Sequence, residues 1–144
     1  MPLVLGEVRE WTSAQRNAGA RLLGTTLAFA QAAATSHLAA VIGACNAAVS
    51  DEDRDTAERV VGAAHVLGAY VPPAEWLPLS LDTVTAEKAL PGHRAAALVI
   101  AAALLRAAPQ GSLAGEPMAL LARGLASEHV RACDHAAVTL NPEP

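Results

Sequence analysis

The chain is poor in aromatic residues and in lysine. Its 144 residues include two Trp, one Tyr and one Phe, and Lys88 is the sole lysine. The net charge is −4, and no run of basic residues interleaved with aromatic ones occurs. A nucleic-acid footprint depends on such a pattern, so the sequence predicts no nucleic-acid partner.

Cysteines and long apolar runs are also scarce. Cys45 and Cys133 stand far apart without CxxC or Cys/His ligand spacing, which favours a reduced, cytoplasmic protein with ordinary buried thiols. The N-terminal Leu3-Val4-Leu5 is too short for a signal peptide. The longest apolar run, Ala95–Leu105, has eleven residues, whereas a membrane span needs about 20. We therefore expect no membrane partner.

The sequence motifs of common enzymes are missing. No GxSxG, HExxH, Walker A or GxGxxG pattern occurs, so we predict no catalytic residue, no cofactor-binding residue, no metal ligand and no cofactor. Asp51, Asp53 and Asp55 alternate as in a calcium loop. The sixth and twelfth positions of that loop are Thr56 and Gly62 instead of the required Gly and Glu. Helix capping explains the three carboxylates better.

Two His/Cys pairs are candidates for chemistry. His129 and Cys133 are four residues apart and could form two corners of a zinc site on a helix, but no second pair at ligand spacing accompanies them. His37 and Cys45 are eight residues apart, two helical turns, which is too distant for a catalytic pair. We interpret all four residues as structural.

Alanine is what the chain has in abundance. The 35 alanines favour closely packed helices, because alanine combines high helix propensity with a small side chain. Ala20–Gly24 and Ala64–Gly68 align with an offset of 44 residues. Imperfect similarity at a period of 35 to 45 residues is typical of α-solenoids, with HEAT and armadillo repeats nearest in length. The predicted fold is therefore all-α, an α-α superhelix.

Periodicity predicts eight helical pieces in about four pairs. We expect one solenoid segment over residues 1–144 with approximate repeats 1–31, 32–71, 72–108 and 109–144. Neither end carries a polar capping repeat, so we expect an excerpt of a longer array. The predicted helices are Pro2–Trp11, Ser13–Gln31, Ser36–Val49, Asp53–Tyr70, one that starts at Pro73, His93–Ala108, Pro117–Ala126 and Glu128–Leu140.

Several details of these helices are predicted as well. Ser50 is expected to cap the helix that follows it. Pro78 either kinks the predicted helix that starts at Pro73, the first (A) helix of the third pair, or makes that helix begin later. Thr83–Gly92 is expected to be a loop. Gly24 and Gly68 lie in helix interiors, where glycine costs about 1 kcal/mol relative to alanine. Close approach of a neighbouring helix would compensate for that cost.

Four arginines lie near the predicted starts of helices. Arg16, Arg59, Arg94 and Arg131 are separated by 43, 35 and 37 residues. One interpretation is that each pairs with acidic residues of the neighbouring repeat. The other is a line of charge on the concave side, where solenoids commonly bind partners. We favour the structural interpretation, and the partner-binding residues are unknown from the sequence.

Three segments resemble one family in register. The junction Val66–Leu79 carries a leucine-glycine, an aromatic residue, valine, proline, glutamate and tryptophan-leucine. Together with Arg16–Leu23 and Ala44–Asp53, it resembles the HEAT-repeat dynein axonemal assembly factor family over about residues 8–108. The alanine-heavy helix after Pro91 departs from that pattern.

The resemblance implies a cytoplasmic, non-catalytic scaffold. Such proteins help to preassemble axonemal dynein arms for cilia or flagella, and the implied partners are dynein intermediate or heavy chains and chaperones. No position matches a functional motif of the family, so no binding residue is transferred. A HEAT or armadillo-type scaffold or adaptor of another pathway (transport, phosphatase or chaperone assembly) is the alternative. An enzyme or carrier would instead need a closed apolar cavity with convergent polar groups.

Overall fold

The regular elements are all helical in the part of the chain that the structure describes. This structure is a computed structural model that describes residues 1–8, 10, 12–86 and 88–126. A 3₁₀ helix, Gln31–His37, links α2 to α3, and residues 116–126 are also helical. The α-helices are α1 (Pro2–Glu7), α2 (Ser13–Ala30), α3 (Leu38–Ala48), α4 (Arg54–Tyr70), α5 (Pro73–Thr85) and α6 (Pro91–Ala107).

The helices form two layers. The B helices α2, α4 and α6 lie side by side in that order, and the A helices α1, α3 and α5 each pack against the B helix that follows them. Neighbouring A helices also contact each other. Helix pairs stacked in sequence order form an α-α superhelix, so the predicted fold class is confirmed. The numbered division into four repeats stays a prediction.

We call the row of B helices α2, α4 and α6 the B-helix ladder, and α4 is its middle helix. It packs against α2 on one side and α6 on the other, and its buried residues include Val60, Ala63 and Leu67. Its charged residues are exposed in the first two turns. Its N-cap is Asp53, whose carboxylate accepts a hydrogen bond from the amide of Asp55 at 3.3 Å. The prediction that Ser50 caps α4 is wrong. Asp53 has extended backbone immediately before Arg54, whereas Ser50 precedes the helix by too many residues.

Prolines set the path between α4 and α5. α4 ends at Tyr70, and Pro73 occupies the first turn of α5, where a missing amide hydrogen costs nothing. Trp76 is fully buried, and its indole Nε1 donates to the carbonyl of Val71 at 3.0 Å. This hydrogen bond fixes the turn, because a buried indole without an acceptor would be unfavourable.

The third A helix does not begin later than Pro73, and a kink at Pro78 stays a prediction. α5 runs through Pro78 from Pro73 to Thr85. Pro78 and Ala74 both lie on the exposed side, so the carbonyl that proline leaves without an amide partner faces the solvent. The predicted loop Thr83–Gly92 is correspondingly too long. The connection covers residues 86–90, since Pro91 starts α6 as a first-turn proline.

The predicted break before the second A helix is wound as a 3₁₀ helix. Gln31 has a φ of 48°, which bends the chain at the end of α2. The helical stretch Ser13–Ala48 is long and apolar enough to cross a membrane by length and composition. Thirteen of its 36 residues are alanine, and its bend divides it between two helices that pack in different layers. Absence of a membrane partner stays a prediction.

The core lies between the two layers and along the B-helix ladder. Its fully buried large side chains are Val8, Leu23, Leu27, Val41, Val60, Leu67, Val71, Trp76, Leu77, Val84, Ile100 and Leu104. Alanines at Ala20, Ala63 and Ala64 fill the narrow space between neighbouring B helices. For α3, the helical spacing of Leu38, Val41, Ile42, Cys45 and Val49 predicts one apolar face. All of these side chains are buried except Val49, which is half-buried.

The two mid-helix glycines differ. A Cβ added at Gly68 would stand 2.4 Å from the carbonyl oxygen of Leu104 and 2.9 Å from its Cα, so α6 backbone lies directly against α4. A Cβ at Gly24 would be 3.9 Å from Ala63, an ordinary contact. The predicted close approach is therefore confirmed at Gly68 and wrong at Gly24. Gly19, where a Cβ would lie 2.6 Å from Glu7 backbone, is the close-contact glycine of α2.

The last described helix, residues 116–126, coincides closely with the predicted Pro117–Ala126. The predicted helix Glu128–Leu140 lies outside the described residues. So do Arg131 and the His129/Cys133 pair, whose interpretations stay predictions.

Candidate interaction surface

The B helices expose one side along the ladder. On α2 this side carries Leu22, Thr25 and Phe29. Phe29 is 86% exposed and Tyr70, at the end of α4, is 47% exposed. These are the sole Phe and Tyr of the chain. Aromatic side chains are enriched at the centres of protein interfaces, so the C-terminal ends of α2 and α4, where the two side chains are exposed, form the candidate interaction surface.

At the opposite, N-terminal ends of the B helices, Arg16 fastens α2 to the segment before α4. Its Nε donates to Asp51 Oδ2 at 2.5 Å, and its Nη2 donates to Asp51 Oδ1 at 3.0 Å. Glu52 lies 3.6 Å from Nη2. The side chains of Arg16 and Asp51 are only 17% and 7% exposed. A two-point contact of this kind fixes both distance and orientation.

Asp53 extends the same network. Its Oδ2 accepts from Thr56 Oγ1 at 2.6 Å and from Asn17 Nδ2 at 3.2 Å, and Asp51 Oδ1 accepts from the amide of Asp53 at 2.9 Å. We call Arg16, Asn17, Asp51, Asp53 and Thr56 the inter-repeat clasp. Arg16 and Asn17 hold α2 to the segment that starts α4, and the remaining contacts order that segment itself. The clasp therefore belongs to the scaffold.

The pKa values of two carboxyl groups of the clasp are lowered by hydrogen bonds. The hydrogen bond from Arg16 lowers the pKa of Asp51, against an opposing effect of burial. Hydrogen bonds from Thr56 first and Asn17 second lower the pKa of Asp53. Protein donors thus occupy the carboxylates of Asp51 and Asp53, in agreement with capping and pairing.

The four arginines are not equivalent in the structure. Arg16 of α2 pairs with the acidic residues Asp51 and Glu52 that precede α4, as the structural interpretation predicts. Arg94 donates instead to the carbonyl of Ala86 at 2.8 Å, within its own helix pair. Arg59 is exposed on α4 beside Asp55. Arg131 lies outside the described part of the chain. The described arginines therefore form no single line of charge, and the spacing of 43 and 35 residues does not place them on one face.

Cys45 and His37 are separated by burial as well as by distance. Burial raises the pKa of the Cys45 thiol to about 12, so the sulfur stays protonated and unreactive at neutral pH. His37 is exposed at the N-cap of α3. The structure therefore does not bring them together as a nucleophile and base.

Shallow grooves open between the B helices. The largest of those described has a volume of about 490 Å³ and is lined by His65, Val66, Ala69, Tyr70, Arg106 and Ala107. We call it the α4–α6 groove. A second, of about 310 Å³, includes Ala57, Val61 and Val99 near the start of α4. Both are open to solvent along the surface, which suits a protein segment better than an enclosed small molecule.

The sequence predicts no partner-binding role for any residue of the α4–α6 groove. Tyr70 is predicted to end a helix and belongs to the Val66–Leu79 junction, and Arg106 directly follows the longest apolar run. A usable signal was present, because the rare Phe and Tyr both stand at the C-terminal ends of predicted B helices. Recognising it required knowing which B-helix side faces solvent.

Comparison with known proteins confirms and extends the resemblance. A family model described as "Dynein axonemal assembly factor 5, HEAT-repeat domain" matches residues 1–140, beyond the 8–108 segment expected. Proteins named dynein axonemal assembly factor 5 from Mus musculus and Homo sapiens are each 28% identical over 130 residues. The matches cover 90% of this chain and 14% of each relative, so the chain spans about a seventh of their length. No solved structure gives a significant match.

Proposed function

The chain belongs to the HEAT-repeat family of dynein axonemal assembly factor 5, and from that premise we propose that it is a non-catalytic protein-interaction scaffold for the preassembly of axonemal dynein arms. It acts in the cytoplasm, and its partners are dynein intermediate or heavy chains together with chaperones. The single observation that carries this proposal is the family match over residues 1–140.

The geometry supports a binding role. Two stacked layers leave one side of the B helices exposed, with aromatic side chains on it and open grooves between neighbouring helices. Solenoids use such extended surfaces to hold other proteins. The absence of catalysis and the cytoplasmic location are parts of the proposal.

Gene deletion in the flagellated or ciliated source organism tests the proposal. We expect axonemes in cross-section to lack dynein arms, with dynein subunits degraded or retained in the cytoplasm. Reintroduction of the full chain should restore the arms. Intact arms and normal motility after deletion would overturn the assembly role, and unbiased capture of partners would then identify the pathway in which this HEAT scaffold acts.

A further inference from the structure

The C-terminal ends of α4 and α6 meet at the same edge of the B layer. Gly68 contacts the backbone of Leu104, and Tyr70 and Arg106 line one groove. Gly68 and Leu104 are 36 residues apart in the sequence, and so are Tyr70 and Arg106. Since residues in two parallel helices rise in step, at about 1.5 Å each, this shared offset brings Tyr70 level with Arg106.

The α4–α6 groove is electrostatically one-sided. Among the described residues that line it, Arg106 is the one charged side chain, and none of them is Asp or Glu. Within residues 1–126 as described, Arg106 makes no ion pair, although the protein as a whole carries a net charge of −4. The other end of α4 is different, because Asp55 and Glu58 lie beside Arg59 there.

Polar and apolar groups converge in the groove. His65 contributes a ring whose Nε2 has no hydrogen-bond partner among the described residues, a situation that is uncommon for a buried polar atom. Val66, Ala69 and Ala107 supply apolar surface beside the half-exposed ring of Tyr70. Tyrosine and arginine are both enriched among the residues that contribute most of the binding energy at interfaces.

A purely structural interpretation of Arg106 also exists. It lies in the last turn of α6, where a cation offsets the partial negative charge of the helix end. That role accounts for a positive residue, but it does not account for the adjoining aromatic side chain or the groove. The two interpretations differ in what a charge reversal at Arg106 does to binding.

We propose that the α4–α6 groove docks an acidic segment of a protein partner, in which one carboxylate side chain stands between apolar ones. The carboxylate pairs with Arg106, and the apolar side chains pack on Tyr70 and Val66. This inference rests on the proposed scaffold function and names the chemistry of its partner. A charged pair at the rim of an apolar contact gives specificity through complementary charge.

Fluorescence anisotropy with the full chain tests this proposal. The probes are two labelled 14-residue amphipathic peptides that are identical in their leucines and differ only in carrying Glu or Lys at two central positions. We expect the Glu peptide to bind at least about tenfold more tightly than the Lys peptide. Equal affinities, or no binding of either peptide at 1 mM, would overturn the proposal.

Substitutions locate the binding site. Arg106→Glu should remove the preference for the Glu peptide, Arg106→Lys should keep it, and Tyr70→Ala should weaken both peptides. Arg59→Glu makes the same charge change at the other end of α4 and should leave both affinities unaltered. An unchanged preference in Arg106→Glu would overturn the proposal, as would a dimer in sedimentation that Tyr70→Ala dissociates, since a second copy would then occupy the groove.

The deletion strain separates this inference from the proposed function. If deletion removes dynein arms and Arg106→Glu restores them as well as the wild type, the groove proposal fails while the assembly role stands. If deletion leaves the arms intact, the assembly role fails, and the peptide preference is judged separately by anisotropy.

Discussion

Two contacts join neighbouring B helices, and we call them the α2–α4 seam and the α4–α6 seam. They carry the same sequence pattern and are built differently. Leu23-Gly24 lies at the α2–α4 seam, and Leu67-Gly68 lies at the α4–α6 seam, 44 residues later. The two leucines are buried alike, at 0% and 2% exposure. The glycines are not alike, because an added Cβ would collide with the backbone of the next helix at Gly68 but would make only an ordinary contact at Gly24.

The seams are also fastened at different places. The inter-repeat clasp holds the N-terminal end of the α2–α4 seam with charged hydrogen bonds. The α4–α6 seam is held by direct backbone contact near the C-terminal end of α4, and there the groove opens. Repetition of a sequence pattern therefore preserves the core position of the leucine without preserving the distance between the helices. Each seam must be judged from its own neighbours.

The largest effect should be shared by both seams. Leu23→Ala and Leu67→Ala should each lower the free energy of unfolding by about 3 kcal/mol, because each removes a buried side chain and leaves a cavity. Urea denaturation followed by circular dichroism measures both values. Leu22→Ala, at a half-exposed position of α2, is the control and should change little. A large difference between the two buried leucines would show that the seams differ in the core as well.

Alanine at the two glycines should separate the seams. Gly68→Ala should cost about 2 kcal/mol, because the new Cβ collides with α6 backbone. Gly24→Ala should instead stabilise by about 0.5–1 kcal/mol through helix propensity, since its Cβ meets only an ordinary contact. The same denaturation experiment decides the sign. Stabilisation by Gly68→Ala would mean that α6 does not approach α4 as closely as described.

A double-mutant cycle should show the clasp to be an energetic feature of the first seam alone. Arg16→Met and Asp51→Asn should be coupled, because either substitution breaks the two-point contact between side chains that are only 17% and 7% exposed. The pair Arg54–Glu58 provides the control, since its side chains are 89% and 62% exposed. It should show weaker coupling. Additive effects of Arg16→Met and Asp51→Asn would contradict a stabilising clasp.

The smallest effect should be a pH dependence located at the clasp. The pKa values of Asp51 and Asp53 are lower in the folded protein than in the unfolded chain, in which Asp titrates at about 3.9. The folded protein therefore binds protons less readily than the unfolded chain. The resulting stability is present above that value and is lost as the pH falls through the lower folded pKa. Urea midpoints between pH 5 and pH 3 should therefore fall less steeply in Asp51→Asn than in the wild type. Parallel curves would contradict the prediction.

Most elements of the fold could be predicted from the sequence. Helix periodicity located α2 and α4 within a residue or two, and Pro72-Pro73 located the junction between α4 and α5. Predictions failed where local signals competed. Ser50 and Asp53 are both good capping residues, and backbone geometry selects the second. Pro78 disfavours a helix in general, but it is tolerated where the carbonyl that it leaves faces solvent.

The candidate site was less predictable than the fold. Regular spacing of Arg16, Arg59 and Arg94 indicated equivalent positions, yet a shift of one residue turns a side chain by about 100° around a helix. Arg59 consequently points to solvent, while Arg16 crosses the seam. The α4–α6 groove depends on the distance between two helices that are far apart in sequence, and no local pattern specifies that distance.

Alanine content, apolar periodicity and proline placement are local properties, so the sequence alone determined an all-α chain of paired helices and the residues that face its core. The tertiary structure decided which glycine supports a backbone contact, which arginine forms the inter-repeat clasp and which aromatic side chains remain exposed. Those features arise from the relative position of α2, α4 and α6. That position is set by packing among all three helices together and not by any one segment.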